Sequence, residues 1–207
     1  MTPKQRYNAL LSQRIIEEFA KRNMEGYYCE TKEDALKKAL ELIPKELVVS
    51  CGGSATLYEI GLIDALKNEG YNFLDPNGVK GAGEMDKIAH QALSADYFLT
   101  GTNAVTEGGE LVNADGYGNR VSALIFGPKN VIVIAGLNKV EPDLDTAILR
   151  VKRTAARMII LKFNKDDPTF DEIDNTAKGA VNQLVITSGS AVKGRIKVIL
   201  VGESLGF

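Results

Sequence analysis

Apolar positions along the chain fall into two kinds of run, some at helical spacing and some in short unbroken blocks. Leu10, Leu11, Ile15 and Phe19 recur as one face of a helix would. Thr2 and Pro3 supply its start, and Gly26, after Lys21 and Arg22, is the expected stop. Ala35, Leu36, Ala39 and Leu42 repeat the pattern behind Thr31 and Asp34, which resemble a capping box. Further helices are predicted over Leu62–Asn68, Gly83–Leu93 and from Pro142 to about Met158. The blocks Tyr27–Cys29, Leu47–Cys51, Tyr71–Leu74, Tyr97–Thr100, Asn130–Ala135 and Arg195–Val201 are short, apolar and bounded by turn residues, so they read as strands. Leu111-Val112 suits another short strand between the turn signals Gly108-Gly109 and Asp115-Gly116. Lys165–Asn175 is acidic, breaks the pattern and reads as a surface loop.

Strands that alternate with helices imply βαβ units. The fold class is therefore α/β, with a mainly parallel sheet flanked by helices. At 207 residues the chain is expected to form a single domain over 1–207, with an N-terminal helix within 1–25 and a variable stretch, 160–207, that carries the final strand. Lys plus Arg is 25 against 27 for Asp plus Glu, a net charge of −2. That balance gives no basic excess, so no nucleic-acid partner is expected. Charges every few positions in residues 1–22 leave no room for a secretory h-region. No run approaches a membrane span, so no membrane partner is expected and the cytoplasm is the expected location. The two cysteines, Cys29 and Cys51, are too few for the four ligands of an iron–sulfur cluster or structural zinc, so no metal or cofactor is expected. His90, the single histidine, lies in a helical pattern with no second His or nearby Cys to support catalysis.

Three segments carry candidate chemistry. In the first, Ser50–Thr56, a strand runs into Gly52 and Gly53 and then into Ser54 and Thr56 at a helix start. Glycine lets the backbone approach a ligand, and helix N–H groups favour an anion. A plain Gly-rich turn with a hydroxyl cap is the alternative. The second, Thr100–Glu107, follows another strand and holds Thr102 and Asn103. Loops at the carboxyl ends of parallel strands open on one rim, where ligands of open α/β sheets gather. The third, Asn113–Arg120, holds Asn113, Asp115, Asn119 and Arg120. Asp115 and Asn119 could equally order a turn, whereas Arg120 can grip a carboxylate or phosphate at two points. Lys139, beyond the strand Asn130–Ala135, is expected on the same rim. Glu107 and Asp115 are the acids set in Gly-rich loops beside these donors, where a carboxylate could act as nucleophile or base.

The run TGTNAVTEGGELVNADGYGNRVSALIFGPKNVIVIAGLNKV, Thr100–Val140, resembles the central signature of the LUD domain family, the lactate-utilisation protein C group. CGGSATLYEIGL, Cys51–Leu62, resembles its earlier Gly-Gly-Ser element, and VILVGESLGF, Val198–Phe207, resembles the C-terminus of a longer, clostridial-type branch. That branch carries a cysteine cluster before the final strand; here Ala155–Gly189 holds no cysteine, which places any electron-transfer role outside this chain. The resemblance implies a fold like that of ribose-phosphate isomerase, glucosamine-phosphate deaminase and the CoA transferases. It implies a protein of lactate or organic-acid utilisation that binds a small carboxylate or phosphorylated metabolite. Iron–sulfur oxidoreductase subunits are the expected partners. A homodimer is the default assembly. Two alternatives stand beside it. One is a CoA-transferase-like or isomerase-like enzyme acting through Glu107; the other is a ligand-sensing regulator without catalysis.

Overall fold

The computed structural model describes residues 1–76, 78–164 and 168–207. Helix α1 (Pro3–Lys21) begins where the sequence places it. Thr2 Oγ1 accepts from the Gln5 N–H, and the Gln5 side chain accepts from the Thr2 N–H. It ends earlier than Gly26, at Asn23 in the left-handed region (φ 58°). Gly26 instead lies inside β1 (Glu25–Cys29), where a Cβ would fall 2.7 Å from Ile16 Cγ1. Its role is thus close packing of α1 on the strand.

The chain continues through α2 (Lys32–Glu41), β2 (Val48–Cys51), α3 (Ala55–Glu59), α4 (Leu62–Asn68), β3 (Asn72–Leu74), α5 (Ala82–Ala92) and β4 (Tyr97–Gly101). Then come β5 (Ala104–Thr106), β6 (Leu111–Asp115), α6 (Asn119–Phe126), β7 (Asn130–Gly136) and a short 3-10 turn, Leu137–Lys139. After β8 (Val140–Glu141), α7 (Leu144–Arg150) runs through a π turn (Val151–Ala155) into α8 (Ala156–Phe163). Asp143, not Pro142, caps this helix, its carboxylate accepting the Thr146 N–H at 2.8 Å. The last elements are α9 (Phe170–Ala177), β9 (Gln183–Thr187) and β10 (Ile196–Val201). Part of the acidic stretch expected to be a loop is therefore helix α9, started by a Thr169–Glu172 capping box; Lys165, Asp166 and Asp167 lie outside the described residues.

Six strands, all parallel, form the main sheet in the order β1-β10-β7-β4-β2-β3. Its strands are sandwiched, so alternate residues face opposite layers and the apolar runs are nearly unbroken. Ile132 and Ile134 of β7 pack with α2, α3 and α4 through Ala35, Leu57 and Leu66. Val131, Val133 and Ala135 pack with Phe19 of α1 and Leu124 of α6 on the other side. A second sheet, β8-β5-β6-β9, packs Ala104 and Val112 on Ala147 of α7 and Val151 of the π turn.

One feature of the connectivity positions the site. From β2 the chain leaves through α3 and α4 on one face and reaches β3; from β4 it leaves through β5, β6 and α6 on the other and reaches β7. β2 and β4 are neighbours in the sheet, so their connections diverge to opposite sides. That is the topological switch point, where an open α/β sheet has a crevice at its carboxyl edge.

Candidate functional site

The register sets Cys51 beside Leu99, and the Gly52 N–H donates to Leu99 O at 3.0 Å. Gly52 thus sits against Thr100–Gly101 at the mouth of the crevice. Beneath it lies Arg120, from the first turn of α6. A Cβ on Gly52 would fall 2.7 Å from Arg120 Cγ and 2.9 Å from its Cδ, so glycine is required for the arginine stem to pass. Gly101 meets Ser54 in the same way, with Ser54 Oγ 2.7 Å from where a Cβ would stand. Gly53 is exposed and has open space beside it.

The Arg120 guanidinium is buried and all three of its nitrogens donate to protein acceptors. Nε donates to Asp115 Oδ1 at 2.9 Å. Nη1 donates to Asn113 Oδ1 at 2.7 Å and to Gly101 O at 3.3 Å. Nη2 donates to Asn103 Oδ1 and Ala114 O, each at 2.9 Å. Asp115 in turn accepts the Val121 N–H through Oδ2 at 2.9 Å, tying the start of α6 to the same cluster. Five donors in a rigid fork are met from β4, the β4–β5 loop and β6. Arg120 therefore fastens three segments together, and its donors are not left for a guest; the expectation of a two-point ligand grip does not fit its position.

The open cationic group on this rim is Lys139. It is 3% exposed, and its Nζ makes one hydrogen bond among the described residues, to Thr56 Oγ1 at 2.9 Å. An ammonium carries three donors, so two remain to be met. Burial, then the Arg150 charge, push Lys139 down from 10.5 to about 7; Glu59 opposes the shift and Arg120 adds to it. Arg150 arrives from the end of α7 and is itself buried, donating through Nη1 to Asn103 O and lying 3.7 Å from Glu141 Oε1. Its Nη2 has no partner among the described residues.

Residues Glu203–Gly206, beyond β10, lie across this group. The Gly206 N–H donates to Glu59 Oε2 at 2.7 Å, and the Leu205 N–H to Asn138 Oδ1 at 3.0 Å. Gly206 is in the left-handed region (φ 58°), and a Cβ there would stand 2.5 Å from Thr56 Oγ1 and 3.1 Å from Lys139 Nζ. Leu205 is buried and anchors the segment in the core.

Of the residues singled out in the sequence, the structure gathers Gly52, Ser54, Thr56, Asn103, Asn113, Asp115, Arg120 and Lys139 along one rim. Ser54 stands at the capping position of α3 but makes no side-chain bond to it. Thr102 is buried and hydrogen-bonds Ala104 O and Val112 O, an internal tie of the second sheet. Asn119 is an exposed first residue of α6. Glu107 does not join the group. It lies past the end of β5 in the hairpin turn that packs on α1, 3.4 Å from Arg14 Nη1, and Gly109 of the same turn abuts Glu18 and Phe19. Arg150, Glu59 and Gly206 were not legible as site residues. Arg150 does leave a trace: it falls on the buried stripe Ala147, Arg150, Val151, Ala155, where a cation calls for a reason.

Other chemistry is muted. Burial pushes the Cys51 thiol up to about 12 and the Cys29 thiol to about 11, so both stay protonated. His90 is exposed on α5. Among the described residues, no three His, Cys, Asp or Glu side chains converge to hold a metal ion, and no helix is long and apolar enough to cross a membrane. Two surface depressions, about 240 and 480 Å³, lie along α2 and between α4 and β3, and neither is lined by Thr56, Lys139 or Arg150.

Fold and rim together define an open, parallel α/β domain whose switch-point crevice is plugged by one arginine and flanked by a buried lysine. A family model described as the LUD domain matches residues 12–201, and the chain belongs to that family. The fold is similar to a crystal structure of a DUF162 family protein from Deinococcus radiodurans, with 16% identity, a TM-score of 0.55, and coverage of 94% of this chain and 98% of that one. A search of curated proteins gave no match.

Proposed function

We propose that this chain binds a small anionic metabolite, a carboxylate or a phosphate ester, at the rim formed by Ser54, Thr56, Lys139 and Arg150, and that it serves lactate or related organic-acid utilisation. The observation that carries the reading is Lys139: an amine withdrawn from water, with one hydrogen bond and a second cation beside it. A buried charge without a partner is costly, and an anion would supply the missing acceptors. Access requires the segment Glu203–Gly206 to lift, breaking the three hydrogen bonds that hold its backbone to Glu59 and Asn138. The redox chemistry of such a pathway is assigned to iron–sulfur partner subunits.

The test is a thermal-shift panel of lactate, pyruvate, sugar phosphates and CoA esters on the wild type and Lys139→Met. At least one anion is expected to stabilise the wild type and to lose that effect in the variant. If none stabilises the wild type more than the variant, the reading fails.

A further inference from the structure

Lys139 is more than a positive charge on the rim. An ammonium kept for binding alone is best left partly hydrated and paired, whereas Lys139 is enclosed, has two donor positions unmet and faces a second cation. The enclosure, the unmet donor positions and the neighbouring cation all favour the neutral amine, whose lone pair is a nucleophile. The same Arg150 that disfavours the ammonium has an Nη2 left to meet a carboxylate. Arg150 Nε donates at 3.4 Å to the carbonyl of Asn138, the residue before Lys139, and an amine with a carboxylate receptor nearby matches one chemical class: small acids with a carbonyl next to the carboxyl group.

We infer that Lys139 condenses with the carbonyl of a small 2-oxo acid to form an imine, with Arg150 holding the carboxylate; this rests on the anion-binding reading above. In the step, the Lys139 nitrogen attacks the carbonyl carbon and a C–N bond forms. The nitrogen gives up its protons, the former carbonyl oxygen takes up two and leaves as water, and a C=N bond remains. No electrons are gained or lost overall. Thr56 Oγ1, 2.9 Å from the nitrogen, is placed to pass a proton between the two. The Gly206 backbone, held by Glu59, closes over the nitrogen and keeps bulk water from the imine.

The experiment is reductive trapping on the full chain. The protein is incubated with pyruvate or glyoxylate and sodium cyanoborohydride, digested, and each lysine is scored by mass spectrometry. Near pH 8, an amine titrating at about 7 is about 90% neutral, against about 0.3% for an ordinary lysine. Lys139 is therefore expected to carry the adduct on the order of a hundredfold above the other lysines. Lactate, which has the carboxylate without the carbonyl, is expected to suppress trapping, and acetone, with the carbonyl alone, to react poorly. Glu59→Gln, which weakens the hold on Gly206, is expected to speed the reaction. An adduct spread evenly over surface lysines overturns the inference. So does no adduct on Lys139 while lactate or phosphate still stabilises the protein, and in that case anion binding stands. If neither trapping nor stabilisation occurs, both readings fall.

Discussion

Replacing Lys139 by methionine keeps an unbranched side chain, one atom shorter, and removes its charge, so it isolates what burial does to that amine. In the folded chain burial and Arg150 bring its pKa to about 7, with Glu59 opposing and Arg120 adding to the shift; an unfolded lysine titrates at 10.5. Below 7 both states hold the proton and the full cost of burying it is in force. Between 7 and 10.5 the folded state has released the proton while the unfolded state keeps it, so stability rises with pH across that window. Above it neither state is charged and the cost is gone. Integrating the linkage between about pH 7 and about pH 9 gives a gain of about 2 kcal/mol for the wild type. The methionine variant lacks this gain. Urea unfolding followed by circular dichroism at several pH values should therefore show the variant more stable at neutral pH. Its advantage should shrink by about 2 kcal/mol toward pH 9. A difference that stays flat with pH would mean that Lys139 titrates as an ordinary lysine. A bound anion should hold the ammonium in place and flatten the slope of the wild type.

Other substitutions separate the scaffold from the rim. Arg120→Met strips Asn113 Oδ1 and Asp115 Oδ1 of their arginine donor and Asn103 Oδ1 of one of its two donors, and should lower unfolding free energy in urea by about 3–5 kcal/mol. Gly52→Ala drives a methyl into the Arg120 stem and should cost about 1–3 kcal/mol in the same assay. Glu107→Gln removes a surface ion pair with Arg14; stability should change by no more than about 0.5 kcal/mol, and anion-induced thermal shifts should be unaltered.

The parts of the fold that read directly from sequence are those whose burial pattern is complete within one segment. β7 and β10 are buried on both faces, so their apolar runs are unbroken. α4 is bounded by Gly61 and Gly70, both in the left-handed region. β5 and β9 escape notice for the opposite reason. β5 has three residues inside a Thr- and Asn-rich run, and β9 is an edge strand, largely exposed, that borrows its register from β6. α9 hides behind its own capping residues, because Asp171, Glu172 and Asp174 make a helix start look like an acidic loop. Element type is thus clearest where the neighbours that bury a segment impose a period on it.

The rim divides in the same way, and the division explains why, of two cations the sequence offers as ligand contacts, Arg120 is taken up by the scaffold and Lys139 is not. Both are lone cations near glycine-rich turns, and their local sequence offers nothing to rank them. What ranks them is the count of acceptors brought by other segments. Asn103, Asn113, Asp115 and two carbonyls converge on Arg120, whereas Thr56 alone meets Lys139. A guanidinium already saturated contributes rigidity; an amine left short of partners contributes reactivity. The acceptors of Arg120 all lie within residues 100–115, close enough in sequence for the motif to be visible as a unit. The groups that define Lys139 lie near residues 56, 59, 150 and 206, and only the carboxyl edge of the parallel sheet brings them together. Chemistry at a switch point is assembled from strand ends far apart in the chain: Thr56 and Lys139 stand out in their own segments, but Arg150, Glu59 and Gly206 join them only in the fold.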